Sequence, residues 1–183
     1  MEPGSDFTKS RRNRGVEREG LRLLLSDRRI QLVDVETKRA IILLLPVGDF
    51  GIQTFDAVMT PKPVEPITAN IVDQYIDDLT LVEMKTTKKA IRNNMLNGFF
   101  FGATEREYAM AEALGPRYMW AFVVLNGDND YGRPFFVLLP LSEVERRTRA
   151  KRVQFQVNFR SDVADGVEEA IFEQVFVDPD EQR

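Results

Sequence analysis

Thr80-Leu81-Val82-Glu83-Met84-Lys85-Thr86-Thr87 decides how this chain is read. The run is apolar and β-branched enough to be a strand, and strand side chains alternate between faces. Glu83 and Lys85 therefore share one face, while Val82 and Met84 share the other. Two opposite charges inside an apolar strand are costly to bury unless the site uses them, which makes the pair a functional candidate. A carboxylate able to hold a hard cation, two residues from an ammonium able to reach a phosphate or its attacking water, suits metal-assisted phosphodiester cleavage. A second acid-x-lysine triplet, Glu36-Thr37-Lys38, lies between the apolar runs 31–35 and 40–45 and reads as a hairpin turn. It is expected to lie outside any site.

Composition narrows the chemistry. The 183 residues are enough for one domain with a real core. The chain has no cysteine, which removes disulfides, thiolate nucleophiles and sulfur-ligated zinc. It also has no histidine, which removes Ser-His-Asp chemistry, His-ligated zinc and imidazole bases. Carboxylates, lysine and a hard metal are the tools left for catalysis. No apolar run approaches a membrane span and no apolar signal segment leads the chain. No membrane partner is expected, and the expected compartment is cytoplasmic.

The net charge of −4 is unevenly spread. Residues 9–29 are rich in arginine, and a second basic run carries Arg146, Arg147, Arg149, Lys151 and Arg152, whereas 162–181 is acidic. Such segregation suits local phosphate contacts on a protein that DNA otherwise repels. Solvated helix faces and a solubilising tail would give the same pattern.

Along the chain, residues 1–12 read as a disordered N-terminal segment and 13–183 as a single domain with an acidic C-terminal tail. A helix is predicted over 13–27, strands over 30–35 and 40–45, a strand over 51–59 carrying Asp56, and a short helix over 67–76 after Pro61, Pro63 and Pro66. The strand bearing Glu83 follows, then a polar connector containing Lys88, Lys89, Arg92, Asn93, Asn94 and Asn97. Thr104 with Glu107 three residues on forms a capping box, and Gly115-Pro116 stops that helix. Strands are predicted over 118–125 and 135–139, a helix from about Ser142, a strand over 152–159 and a small helix over 167–176. The run Phe99-Phe100-Phe101 reads as core rather than as a base-stacking platform.

Glu83-Met84-Lys85, set on a strand after a leading helix and an acid-bearing strand, resembles the acid-x-lysine element of the PD-(D/E)XK nuclease superfamily. The resemblance covers roughly 15–139. It implies an α/β fold with a restriction-endonuclease-like core, a central mixed β-sheet flanked by helices. It also implies an acid on the preceding strand. Asp56 in Thr54-Phe55-Asp56-Ala57-Val58 fits better than Asp77-Asp78, which reads as a solvated turn; Phe55 stands where the family name has proline. A glycine with a glutamate four residues on, common in the family's leading helix, is matched by Gly15 and Glu19. Glu19 would look toward the sheet and complete the metal surroundings or hold a second ion, or else balance Arg18 and Arg22 at the surface.

What the resemblance implies is a Mg²⁺-dependent nuclease hydrolysing DNA, with Mn²⁺ able to substitute, in restriction or phage defence. Asp56, Glu83 and the Met84 carbonyl would hold the metal, and Lys85 would steady the water or the transition state. Lys88, Lys89, Arg92, Asn94, Arg146, Arg147 and Arg149 would contact nucleic acid. A homodimer, or a partner subunit supplying sequence recognition, is compatible with this reading. The alternative is a nuclease-fold module that binds DNA or a protein without cutting.

Overall fold

The computed structural model describes residues 5–45, 47, 51–91 and 96–149, with side chains from residue 15 onward. The chain divides after Arg149 into two units, and the second, Ala150–Arg183, lies outside the described residues. The strand expected over 152–159 and the helix expected over 167–176 fall there, as do Arg92 and Asn94 in a separate gap.

The described unit is α/β, with a five-stranded mixed sheet between helices. Its strands are β1 (Ile30–Gln31), β2 (Ala57–Met59), β3 (Thr80–Thr87), β4 (Tyr118–Val124) and β5 (Phe135–Pro140), side by side in that order. Neighbours are antiparallel except β3 and β4, which run parallel. Parallel neighbours need a crossover, and the helix Glu105–Leu114 lies between them in sequence. It starts with the expected capping box, both hydrogen bonds present, and ends at Gly115, whose φ of 54° suits a residue without a Cβ.

Alternation along β3 sorts the two faces. Leu81 joins Tyr118, Trp120, Phe122, Phe55, Ile41, Met110 and Val144 in the larger core. Val82 joins Leu24, Ile30, Ala57 and Ala121 in the smaller one, with Met84 packed against it. The first helix, α1 (Ser5–Leu24), covers the smaller core across β3, β4 and β5. It approaches closely because residue 20 is glycine: a Cβ there would stand 2.4 Å from Thr86 Cγ2. The larger core is covered by α2 (Val35–Leu44), α3 (Glu105–Leu114) and α4 (Leu141–Arg147). Phe99 and Phe101 pack edge-on against Phe122 at 5.2 and 5.0 Å, while Phe100 is exposed.

Several expected elements differ. The strand pair with a turn at Glu36-Thr37-Lys38 is instead β1 followed by α2. Asp34 caps that helix, its carboxylate accepting from the Thr37 N–H at 2.7 Å. Thr37 and Ile41, one turn apart, are buried, while Leu43 is 85% exposed. The apolar run 40–45 thus obeys helical rather than strand spacing. The strand expected over 51–59 shortens to β2, because Thr54 turns back onto the Gly51 carbonyl. The helix expected over 67–76 is reduced to a 3-10 turn, Val72–Gln74. Among the described residues no helix is long and apolar enough to cross a membrane.

Candidate active site

Asp56 immediately precedes β2, where the chain enters the sheet. Its N–H donates to the Val82 carbonyl at 2.9 Å, and its Oδ2 accepts from the Met84 N–H at 2.9 Å. The side chain thus takes over an acceptor position that a continued strand would have filled, and this fixes the carboxylate against the middle of β3. In a sheet the N–H and C=O of one residue point to the same edge, so the Met84 carbonyl also faces the β2 side.

Glu83 is only 7% exposed, beside Trp120 in the parallel register. Lys85 shares its face, as alternation requires, and its Nζ lies 2.9 Å from Glu83 Oε1. The same ammonium lies 2.9 Å from Glu107 Oε2 on α3. Glu107 is also 7% exposed, and Oε2 accepts the Thr104 N–H of the capping box at 3.0 Å. One carboxylate oxygen therefore ties the lysine to the start of the crossover helix.

The charges are strained by burial. Glu83 is pushed up to about 8, chiefly by burial and then by the nearby Asp56 carboxylate, against the opposing pull of Lys85. Burial disfavours the Lys85 ammonium, but Glu83 and Glu107 outweigh it and hold its pKa above the usual lysine value. Burial therefore works against the charge on Glu83, whereas the two carboxylates keep the charge on Lys85. The Tyr118 hydroxyl, which donates to the Thr54 carbonyl, is raised by burial and by Glu83, Glu107 and Asp56 together. Three carboxylates from β2, β3 and α3 thus act on one region of the sheet face.

A second ammonium enters from α2. Lys38 Nζ donates to the Phe55 carbonyl at 2.6 Å and stands 4.8 Å from the Phe55 ring centroid. Its pKa is lowered by burial and supported by the negative Asp56 and Glu83. The expectation that Lys38 lies outside the site fails for the same reason as the hairpin: in a helix capped at Asp34 its side chain reaches over β2. Glu36 remains exposed and apart.

Lys85 touches Glu83, and Asp56 holds the Met84 N–H between them and acts on the Glu83 carboxyl; Glu19 stands apart. It is exposed on α1, across the other sheet face, with its carboxylate 3.3 Å from Lys88 Nζ. It therefore does not look toward the sheet. Asp77 and Asp78 lie in an exposed turn. Lys88 and Lys89 follow β3 at the surface. Arg146 and Arg147, in the last turn of α4, both pair with Glu143, and Arg149 is exposed just beyond. Sequence reasoning read Glu107 only as a cap. The missed signal was its place in the first turn of the crossover helix that packs back onto the sheet beside β3.

The carboxylates that could share a hard cation are Asp56 and Glu83. Among the described residues no group of three or more His, Cys, Asp or Glu is arranged to hold a metal. Two carboxylates are fewer protein ligands than a calcium cage or a structural zinc site uses. Comparison with family models, curated proteins and solved structures finds no match to this chain.

Proposed function

We propose that this chain is a Mg²⁺-dependent nuclease of the PD-(D/E)XK type, with a restriction-endonuclease-like core, acting on DNA. The observation that carries the reading is the meeting of Asp56 with Glu83 and Lys85: an acid at the edge of one strand is hydrogen-bonded to the middle of the acid-x-lysine element on the next. The sheet supports it, with an antiparallel run β1-β2-β3 and a helix crossing over to a parallel β4. Mutual repulsion between Asp56 and Glu83 in a buried setting is what a bound cation would relieve.

Asp56, Glu83 and the Met84 carbonyl would hold the ion. When bound, Mg²⁺ supplies an acidified water and neutralises charge on the phosphate oxygens. Lys85 keeps an ammonium beside that water and the phosphorus, where a fixed positive charge stabilises the developing negative charge. Lys38, the other half-buried ammonium, adds positive charge on the α2 side. Lys88, Lys89, Arg146, Arg147 and Arg149 offer phosphate contacts that carry no sequence information. A cytoplasmic defence role, Mn²⁺ substitution and a partner that supplies target recognition belong to the same reading.

One observation favours the second reading, a nuclease-fold module that binds without cutting. The Lys85 ammonium already pairs with Glu83 Oε1 and with Glu107, so part of the Glu83 carboxylate is spent on an ammonium rather than left for a metal. Plasmid nicking and single-strand degradation by the full chain, with Mg²⁺, Mn²⁺ or EDTA, separate the two. Metal-dependent cleavage that disappears in Glu83→Gln and Lys85→Ala is expected. Equal activity in wild type and both variants marks a contaminant and removes the assignment. Binding without cleavage by pure wild type selects the second reading.

A further inference from the structure

We infer that Glu107 is the positioning residue for Lys85, an inference that rests on the nuclease reading for its catalytic meaning. A buried lysine whose four-carbon stem has considerable rotamer freedom is held better by two anchors than by Glu83 alone, the more so if Glu83 were drawn toward a cation. Glu107 is the second anchor. Its Oε2 accepts from both Lys85 Nζ and the Thr104 N–H, so the ammonium is tied to a backbone atom at the start of α3. Thr104 Oγ1 in turn accepts the Glu107 N–H at 3.2 Å, which closes the box and removes the freedom of the glutamate itself. Charged partners reach this cluster from four elements. Glu83 comes from β3 and Glu107 from α3, while Asp56 beside β2 acts on Glu83, and Asp56 and Glu83 act on Lys38 of α2. Among the described residues, Glu83 and Glu107 are the carboxylates that pair with Lys85. With Glu107 as anchor, the ammonium would remain where it is if Glu83 were drawn toward a cation. Glu107 touches no reacting atom itself.

The capping box supplies a clean test, because glutamine serves at its third helical position as well as glutamate. Glu107→Gln keeps an oxygen for the Thr104 N–H and removes only the charge facing Lys85. Glu105→Gln, at an exposed site in the same helical turn, controls for loss of an acidic group near the helix start. The first readout needs neither metal nor activity. It is the side-chain ammonium signal of Lys85 in ¹H–¹⁵N spectra of the full chain, assigned by its loss in Lys85→Ala. Wild type and Glu105→Gln should show a sharp line, and Glu107→Gln should lose it to faster exchange with water. The second readout is kinetic. Misplacement of a reacting group costs on the order of 10²-fold in rate, so kcat of Glu107→Gln should fall about tenfold to a hundredfold with KM nearly unchanged. An equally sharp Lys85 line in Glu107→Gln overturns the inference, as does a lost line with unchanged kcat. Loss of the line in the variant, with a wild type that cuts nothing, leaves Glu107 as the holder of Lys85 and removes the nuclease reading instead.

Discussion

At the scale of single residues, the site is a balance of buried charge, and Glu83 is its least comfortable member. Burial and Asp56 raise its pKa from an ordinary carboxyl value to about 8. Between those limits the folded chain would hold a proton at Glu83 that the unfolded chain has released, so this group's contribution to stability should fall as pH rises from about 4.5 to about 8 and then level. Glutamine has no such loss. In EDTA, the melting temperature of Glu83→Gln relative to wild type should therefore climb between pH 5 and pH 8. A gap of about 3 °C or more corresponds to roughly 1 kcal/mol in a chain of this size. Parallel pH profiles for the two proteins would show that the Glu83 carboxyl is not raised. Adding Mg²⁺ at pH 8 should stabilise wild type and not the variant, since binding to the folded state alone adds stability. Alternation in β3 made Glu83 and Lys85 legible from sequence, and flanking apolar residues made Asp56 legible. Glu107 and Lys38 were hidden because each is defined by where a helix lands on the sheet, which local pattern does not report.

At the scale of elements, legibility followed how many independent signals each segment carries. The α3 helix has a capping box, a buried face and a stop at Gly115-Pro116, and it appears as expected. So do β3, β4 and β5, long apolar strands with turn residues between them. The α2 helix lacked this redundancy. Ala40-Ile41-Ile42-Leu43-Leu44-Leu45 is apolar all round, so periodicity cannot separate helix from strand, and the deciding residue was the cap Asp34. Glu19 failed differently: it does lie on a helix, but Gly20 and Leu24 define the face of α1 that meets the sheet. That face can be tested. Gly20→Ala gains up to about 1 kcal/mol in helix propensity, yet its Cβ would stand 2.4 Å from Thr86 Cγ2 and 3.2 Å from Met84 Sδ. Thr86 is β-branched and cannot swing aside freely, so overpacking should win, with a net loss of about 1–2 kcal/mol in urea unfolding. Thr86→Ser deletes the obstructing methyl. In that background Gly20→Ala should be neutral or stabilising, and a loss of the same size in both backgrounds would place the clash elsewhere.

At the scale of the whole molecule, the proposed nuclease would have to bring a cluster of carboxylates on an acidic protein to a polyanion, and the surface arginines and lysines would decide whether it can. Their charges are not equally available. Arg146 and Arg147 both engage Glu143, whose carboxyl they hold down to about 2. Lys88 has a looser partner in Glu19 at 3.3 Å, and Lys89 is exposed; both directly follow the strand that carries Glu83 and Lys85. Exposed pairs of this kind are weak, but an arginine already neutralised by its own helix displaces fewer counterions when it meets a phosphate. Each lysine that does meet one should contribute about 0.9 to the slope of log K against log salt on duplex DNA. Replacing Lys88 and Lys89 together by alanine should therefore flatten that slope by about 2 and weaken binding alike on unrelated sequences. Replacing Arg146 and Arg147 should flatten it by less than about 1, because Glu143 already offsets part of their charge before any phosphate is met. Fluorescence anisotropy of the full chain on a labelled duplex, in Ca²⁺ to hold the site without turnover and from about 50 to 200 mM salt, reads both slopes. If the arginine pair carries the larger share, the phosphate track runs over α4 rather than past the end of β3. If neither substitution changes the slope, duplex DNA does not lie across this face of the sheet at all.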